Sequence, residues 1–178
     1  MDKVYAFDYM LQLFLEWRKE FLAASSLYSG TLNKLSVLKL LFLTAVPHKS
    51  GGEDLLDTFD KFYALPYGPV ESDIYNAILK DALPSYKVTD TEVKKKEHVA
   101  LPYNSSDYSK VEDAVNDLRK INSQLILMRA FQLVDITHRW ESWKDAYEFA
   151  KFMDMYSYRM SVDSIRNDAN RYFGNELH

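Results

Sequence analysis

Leu35-Ser36-Val37-Leu38-Lys39-Leu40-Leu41-Phe42-Leu43 and, further on, Tyr67-Gly68-Pro69-Val70-Glu71-Ser72-Asp73-Ile74-Tyr75 frame the stretch that decides the fold. In the first block, Leu32, Leu35, Leu38, Leu41, Phe42 and Ala45 share one helical face, and Val37, Leu40 and Leu43 add apolar residues around it. A helix apolar nearly all round belongs at the centre of a domain. Thr31 is the expected N-cap, and Pro47 with Ser50-Gly51-Gly52 ends the helix near Val46. The second block follows an aromatic run from Phe59 to Tyr67 that reads equally as a short helix or as an extended segment. Pro66 drives Leu65 toward extended geometry, Gly68 can take a positive φ, and Pro69 suits a first helical position. Tyr67-Gly68-Pro69 is therefore expected to be a rigid bend feeding a helix from Val70 to about Ala82, with Glu71 and Asp73 in its first turn.

Outward from this stretch the chain continues to read as helix. Val4, Phe7, Met10, Leu11, Phe14, Leu15, Trp17, Phe21 and Leu22 predict a long first helix over 2–24. Residues 84–104 are the least helical and predict one or two short strands, a hairpin with its tip near Lys94-Lys95-Lys96. Ser106 or Asp107 would cap a helix through about Met128, a second would run from Ala130 to Trp140, and Ser142 would cap a third over 144–153. A last helix is expected over 161–173. The fold class is mainly α: one compact helical domain, residues 1–178, with at most a small two- or three-stranded β element.

With 178 residues the chain is long enough for one domain with a substantial core. A net charge of −4 supplies no broad attraction to nucleic acid. The lack of cysteine excludes disulfides, zinc–thiolate sites and a cysteine nucleophile, and suits a reducing cytoplasm. The N-terminus lacks the basic and apolar regions of a signal peptide, and the longest apolar run is far too short to cross a bilayer. A soluble, cytoplasmic protein is expected.

Few residues point to chemistry. Asp135, His138 and Glu141 stand three apart and would share a face of one helix, which suits metal ligation or a carboxylate-oriented histidine base. The plainer reading is a histidine hydrogen-bonded at a helix end beside Trp140 or Trp143, since no second histidine pair completes a ligand set. No catalytic or phosphate-binding motif is present, so no catalytic residue, metal or cofactor is assigned. Lys94-Lys95-Lys96, Arg166 and Arg171 are the basic groups available to phosphates, although three lysines in a polar loop are more simply a solvated tip. Tyr67-Gly68-Pro69-Val70 reads either as packing at a helix start or as a fixed bend presenting Tyr63 or Tyr67 to a partner.

In order and content these blocks resemble the Panacea antitoxin domain, the SocA-like antitoxin family of bacteria and phages. The carriers are Lys39-Leu40-Leu41-Phe42-Leu43, the intact Tyr67-Gly68-Pro69-Val70, Ile74-Tyr75, and Leu133 with Thr137-His138 and Trp143, within about residues 31–173. Leu38 stands where the family often has Gln, and Leu65 is nearest the place of a common Trp. The resemblance implies a helical binding domain that neutralises a toxin encoded nearby, in some members by delivering it to a protease. Tyr63, Tyr67, Gly68, Pro69, Val70, Tyr75, Thr137, His138 and Trp143 are the candidate binding residues, with a protein toxin as partner. Two alternatives come from other classes: a nucleic-acid-binding regulator of phage or mobile-element origin, and a metal-dependent hydrolase built on Asp135, His138 and Glu141.

Overall fold

The computed structural model describes residues 1–24, 30–49, 52–97 and 108–175. They form one mainly helical domain: α1 (Lys3–Ala24), α2 (Lys34–Ala45), β1 (Phe62–Leu65), β2 (Gly68–Glu71), α3 (Ser72–Leu79), β3 (Tyr86–Val88), β4 (Val93–Lys95), α4 (Ser109–Ile121), a 3-10 turn (Leu125–Leu127), α5 (Ala130–Thr137), α6 (Glu141–Phe152), β5 (Tyr158–Arg159) and α7 (Val162–Arg166). The expected fold class holds. Two small antiparallel sheets complete it, one of order β2-β1-β5 and one pairing β3 with β4.

Helix α2 is the centre, as its all-round apolar surface predicts. Every residue from Ser36 to Ala45 is buried, and the helix packs on β2, α5, α4 and α1. Its cap is Asn33 rather than Thr31: the Asn33 side chain accepts from the Ser36 amide at 3.0 Å, and the Ser36 hydroxyl accepts from the Asn33 amide at 2.8 Å. Phe42 meets Phe62 and Trp140 edge-on at 5.3 and 5.2 Å between ring centres, tying the sheet and the α5–α6 corner to the core.

The principal correction concerns Tyr67-Gly68-Pro69. This is no bend into a helix but the turn and first strand residues of a hairpin, with Leu65 opposite Gly68, Ala64 opposite Pro69 and Tyr63 opposite Val70. The Ser72 amide donates to Lys61 O at 3.0 Å, so even-numbered residues of this strand bond to β1 and odd-numbered ones face away. Pro69 is one of the latter, where a missing N–H costs the ladder nothing. Helix α3 starts at Ser72 because the Glu71 carboxylate caps it, accepting from the Ile74 amide at 2.8 Å.

Other boundaries shift for similar local reasons. The second hairpin turns at Thr89–Glu92, where the Thr89 hydroxyl accepts from the Glu92 amide at 3.1 Å, so Lys94 and Lys95 lie in β4 and not at a tip. The expected caps Ser106 and Asp107 fall outside the described residues. Helix α4 stops at Ile121, well before Met128, because Asn122 turns its amide to Phe173 O (2.9 Å) and its oxygen to the Gln124 amide (3.0 Å). The helix expected over 130–140 ends at Thr137, and α6 begins at Glu141 with Trp140, not Ser142, at the cap position. Of the helix expected over 161–173, Ser161 is the N-cap, and α7 ends at Arg166, seven residues short of Phe173. Asp168 is drawn instead to the Ser142 amide at 2.7 Å.

Candidate functional site

Most sequence-predicted site residues converge on the β1–β2 turn. Pro69 O points from the ladder toward α2, where Lys39 Nζ donates to it at 2.6 Å. Pro66 O accepts from His138 Nε2 at 3.0 Å, and Leu65 O accepts from the Trp143 indole N–H at 3.0 Å. A carbonyl only accepts, so the His138 proton sits on Nε2. The imidazole stacks on Trp143 at 4.0 Å with 15° between planes, and Trp143 stacks in turn on Tyr147 at 4.9 Å. Three donors from α2, the end of α5 and α6 thus hold three carbonyls of one hairpin.

Gly68 sits inside this clamp with φ +97°. A Cβ there would lie 2.5 Å from Thr137 Oγ1 and 3.3 Å from the Lys39 side chain, so the position requires glycine twice over. Thr137 is buried and donates its hydroxyl to Val134 O at 2.9 Å, which leaves its oxygen against the glycine. Lys39 is fully buried and makes no ion pair among the described residues, and desolvation pulls its amine down to about 7. His138 is lowered as well, by burial first and by the Lys39 charge, against the Pro66 hydrogen bond and Asp135.

Of the predicted residues, Gly68, Pro69, Val70, Thr137 and Trp143 are buried, Tyr63, Tyr75 and His138 half-buried, and Tyr67 exposed. Tyr67 stands at the hairpin tip, 59% exposed, edge-on to Phe131, which is 60% exposed. Tyr75 lies apart on α3 under the Lys34 ammonium. The proposed Asp135–His138–Glu141 face does not form: α5 ends between them, His138 is spent on the hairpin, and Glu141 accepts from Asn170 at 3.0 Å. Among the described residues, the carboxylates that do gather are Asp60, Glu71 and Asp73. Lys3 Nζ sits among them at 2.8, 2.6 and 2.8 Å. Burial opposes the Lys3 charge, but hydrogen bonds to Asp60, Asp73 and Glu71 outweigh it and raise its pKa.

The family described as antitoxin SocA-like, Panacea domain, matches residues 37–144, more than half of the chain. The chain belongs to this SocA-like antitoxin family. No curated protein and no solved structure matches it. The matched Panacea segment contains the whole clamp: Lys39, the Tyr67–Val70 turn, Thr137-His138 and Trp143. An antitoxin-like role and a protein partner follow from membership. No helix among the described residues is long and apolar enough to cross a membrane.

A second feature escaped the sequence reading. Phe149, Phe152, Met153, Met155, Tyr156 and Tyr158 are all exposed within ten residues, Phe152 at 84% and Tyr156 at 74%. They follow the clamp along α6 into β5, with Phe149 against Tyr158 at 4.5 Å. The signal was the run Phe149 to Tyr158 itself, which has more large apolar residues than the end of one amphipathic helix can bury.

Proposed function

We propose that this Panacea protein is an antitoxin that neutralises a toxin encoded beside it by direct protein–protein contact, using the strip from Phe149 to Tyr158 together with the Tyr67–Phe131 pair. The observation that carries the reading is that strip: contiguous exposed apolar patches of this kind mark contact surfaces, and aromatic side chains are the usual anchors. It lies beyond residue 144, where the family match ends, which suits a shared scaffold that serves different partners. The clamp then acts indirectly. Lys39, Thr137, His138 and Trp143 set the hairpin, and the hairpin presents Tyr67 and gives β1 the edge on which β5 is laid. Delivery of the bound toxin to a protease is compatible with the same contact.

The test is co-expression with each gene flanking this one, with growth as the readout. Growth arrest by one neighbour alone and recovery with this protein supports the reading. No toxic neighbour, or a toxic one that this protein leaves toxic, contradicts it.

A further inference from the structure

Helices α3 and α6 end in the same way, but only the end of α3 is electrically complete among the described residues. After α3, Asp81 takes φ +51°, its amide donates to Ile78 O at 3.1 Å, and the Ala82 amide donates to Ala77 O at 2.8 Å. After α6, Asp154 takes φ +55°, its amide donates to Lys151 O at 3.1 Å, and the Met155 amide donates to Ala150 O at 2.8 Å. Glycine or asparagine is the usual residue at this left-handed position, and an aspartate adds negative charge at the negative end of the helix dipole. At α3, Lys96 compensates: its Nζ lies 3.0 Å from Asp81 Oδ1 and 3.0 Å from Asp81 O. Asp154 has no such cation among the described residues, and it stands inside the exposed apolar strip, between Met153 and Met155. We propose, resting on the contact reading above, that the strip docks a cationic amphipathic surface of the partner protein, with apolar side chains against Phe152 and Tyr156 and a lysine or arginine on Asp154.

The charges around Asp154 select that partner over others. On α6, Asp145 precedes Phe149 by four residues and Phe152 by seven, and Glu148 precedes Phe152 by four, so both carboxylates share the helical face of the two rings. Asp145 and Glu148 are exposed and make no ion pair among the described residues. The nearby cations are engaged: Lys151 over the Tyr147 ring at 5.1 Å, Lys144 with Glu141 at 3.5 Å, and Arg159 with the Asp60 carboxylate and carbonyl at 4.0 and 3.4 Å. A face with this excess of negative charge repels a second copy of itself, a nucleic acid or an anionic membrane, and attracts a basic partner, as does the net charge of −4. At about 200 Å² for a large side chain, the six exposed residues offer on the order of 700 Å², close to the about 800 Å² that one side of a standard protein–protein interface buries. The hydrogen bonds that close α6 and the β1–β5 ladder hold the segment at both ends, so the surface is formed before a partner arrives.

Fluorescence anisotropy of a short labelled helical peptide of leucine and lysine, titrated with the full chain, tests the surface, with the same peptide carrying glutamate for lysine as control. Saturable binding of the lysine peptide, at least about tenfold tighter than that of the glutamate peptide, is expected. Asp154→Asn should weaken it about fivefold while the melting temperature stays the same or rises, since asparagine suits the left-handed position and takes the charge off the helix end. A purely structural aspartate would not give that pair of results. Asp113→Asn, which removes an exposed carboxylate from α4, should bind as the unaltered protein does. Equal affinity for the two peptides, equal losses in Asp154→Asn and Asp113→Asn, or unchanged binding in Asp154→Asn would overturn the proposal. So would a concentration-dependent dimer that Phe152→Ser abolishes, which assigns the face to a second copy. Binding of the lysine peptide without any toxic neighbour refutes the antitoxin role alone, and rescue of growth without peptide binding refutes the cationic partner alone.

Discussion

Lys39 shows why one residue can matter in two ways. Its stem is buried in the core, and its amine donates to Pro69 O. The amine titrates near 7 when folded and near 10.5 when exposed, so between those values the unfolded chain binds a proton that the folded chain has shed. Stability therefore rises with pH across that window. Tyr86, held up to about 12 by burial first and then by Asp8 and Glu16, and Lys3, whose pKa is raised, oppose the trend only above about pH 10. Urea unfolding of the unaltered protein should show increasing stability from pH 7 to 10, and Lys39→Met should flatten it. An identical slope in both would remove Lys39 as its source. Gly68 is the second decisive residue. Gly68→Ala places a Cβ at positive φ against the Thr137 hydroxyl, and should cost about 2–4 kcal/mol, read as a lowered urea midpoint at unchanged slope. The sequence told that Gly68 needs freedom, but not that Thr137 and Lys39 crowd it, because those contacts join residues far apart in the chain.

The elements were legible where local pattern decides them. Helices α1 and α2 follow from their apolar faces, and a small β element was expected, though not at the β1–β2 hairpin. Pro69 misled because proline fits both the first turn of a helix and an outward-facing strand position, and the choice depends on what pairs with β1. Glu71 settles where strand gives way to helix. Its buried carboxylate accepts from the amides of Lys61 and Ile74 and from Lys3, so it joins the N-terminus of α1 to the hairpin and to α3. Glu71→Ala leaves the Lys61 and Ile74 amides without a partner while Lys3 keeps Asp60 and Asp73, and should destabilise by about 2–4 kcal/mol in chemical denaturation. A loss below about 1 kcal/mol would mean that water replaces the carboxylate freely. The ends of α4 and α7 were misread because Asn122 and Asp168 take distant backbone partners, Phe173 O and the Ser142 amide. No spacing in the sequence announces such contacts.

At the scale of the molecule, the family-matched residues and the exposed residues separate. The Panacea blocks build an interior clamp, whereas the broadest apolar surface follows them along α6 and β5. Sequence reading found the clamp residues through their family pattern and took them as contacts, since burial does not show in a motif. It overlooked Phe152 and Tyr156, which belong to no motif and are recognisable only once their neighbours are seen not to cover them. Replacing both with serine should leave the melting temperature within about 2 °C of the starting protein, because side chains this exposed carry little stability. The decisive measurement is rescue of growth from the toxic neighbour by the Phe152→Ser/Tyr156→Ser protein, with its melting curve recorded alongside. Loss of rescue at unchanged melting is the predicted result. Full rescue by that protein, together with loss of rescue at unchanged melting in Tyr67→Ser, would contradict the account and place the contact at the hairpin tip alone.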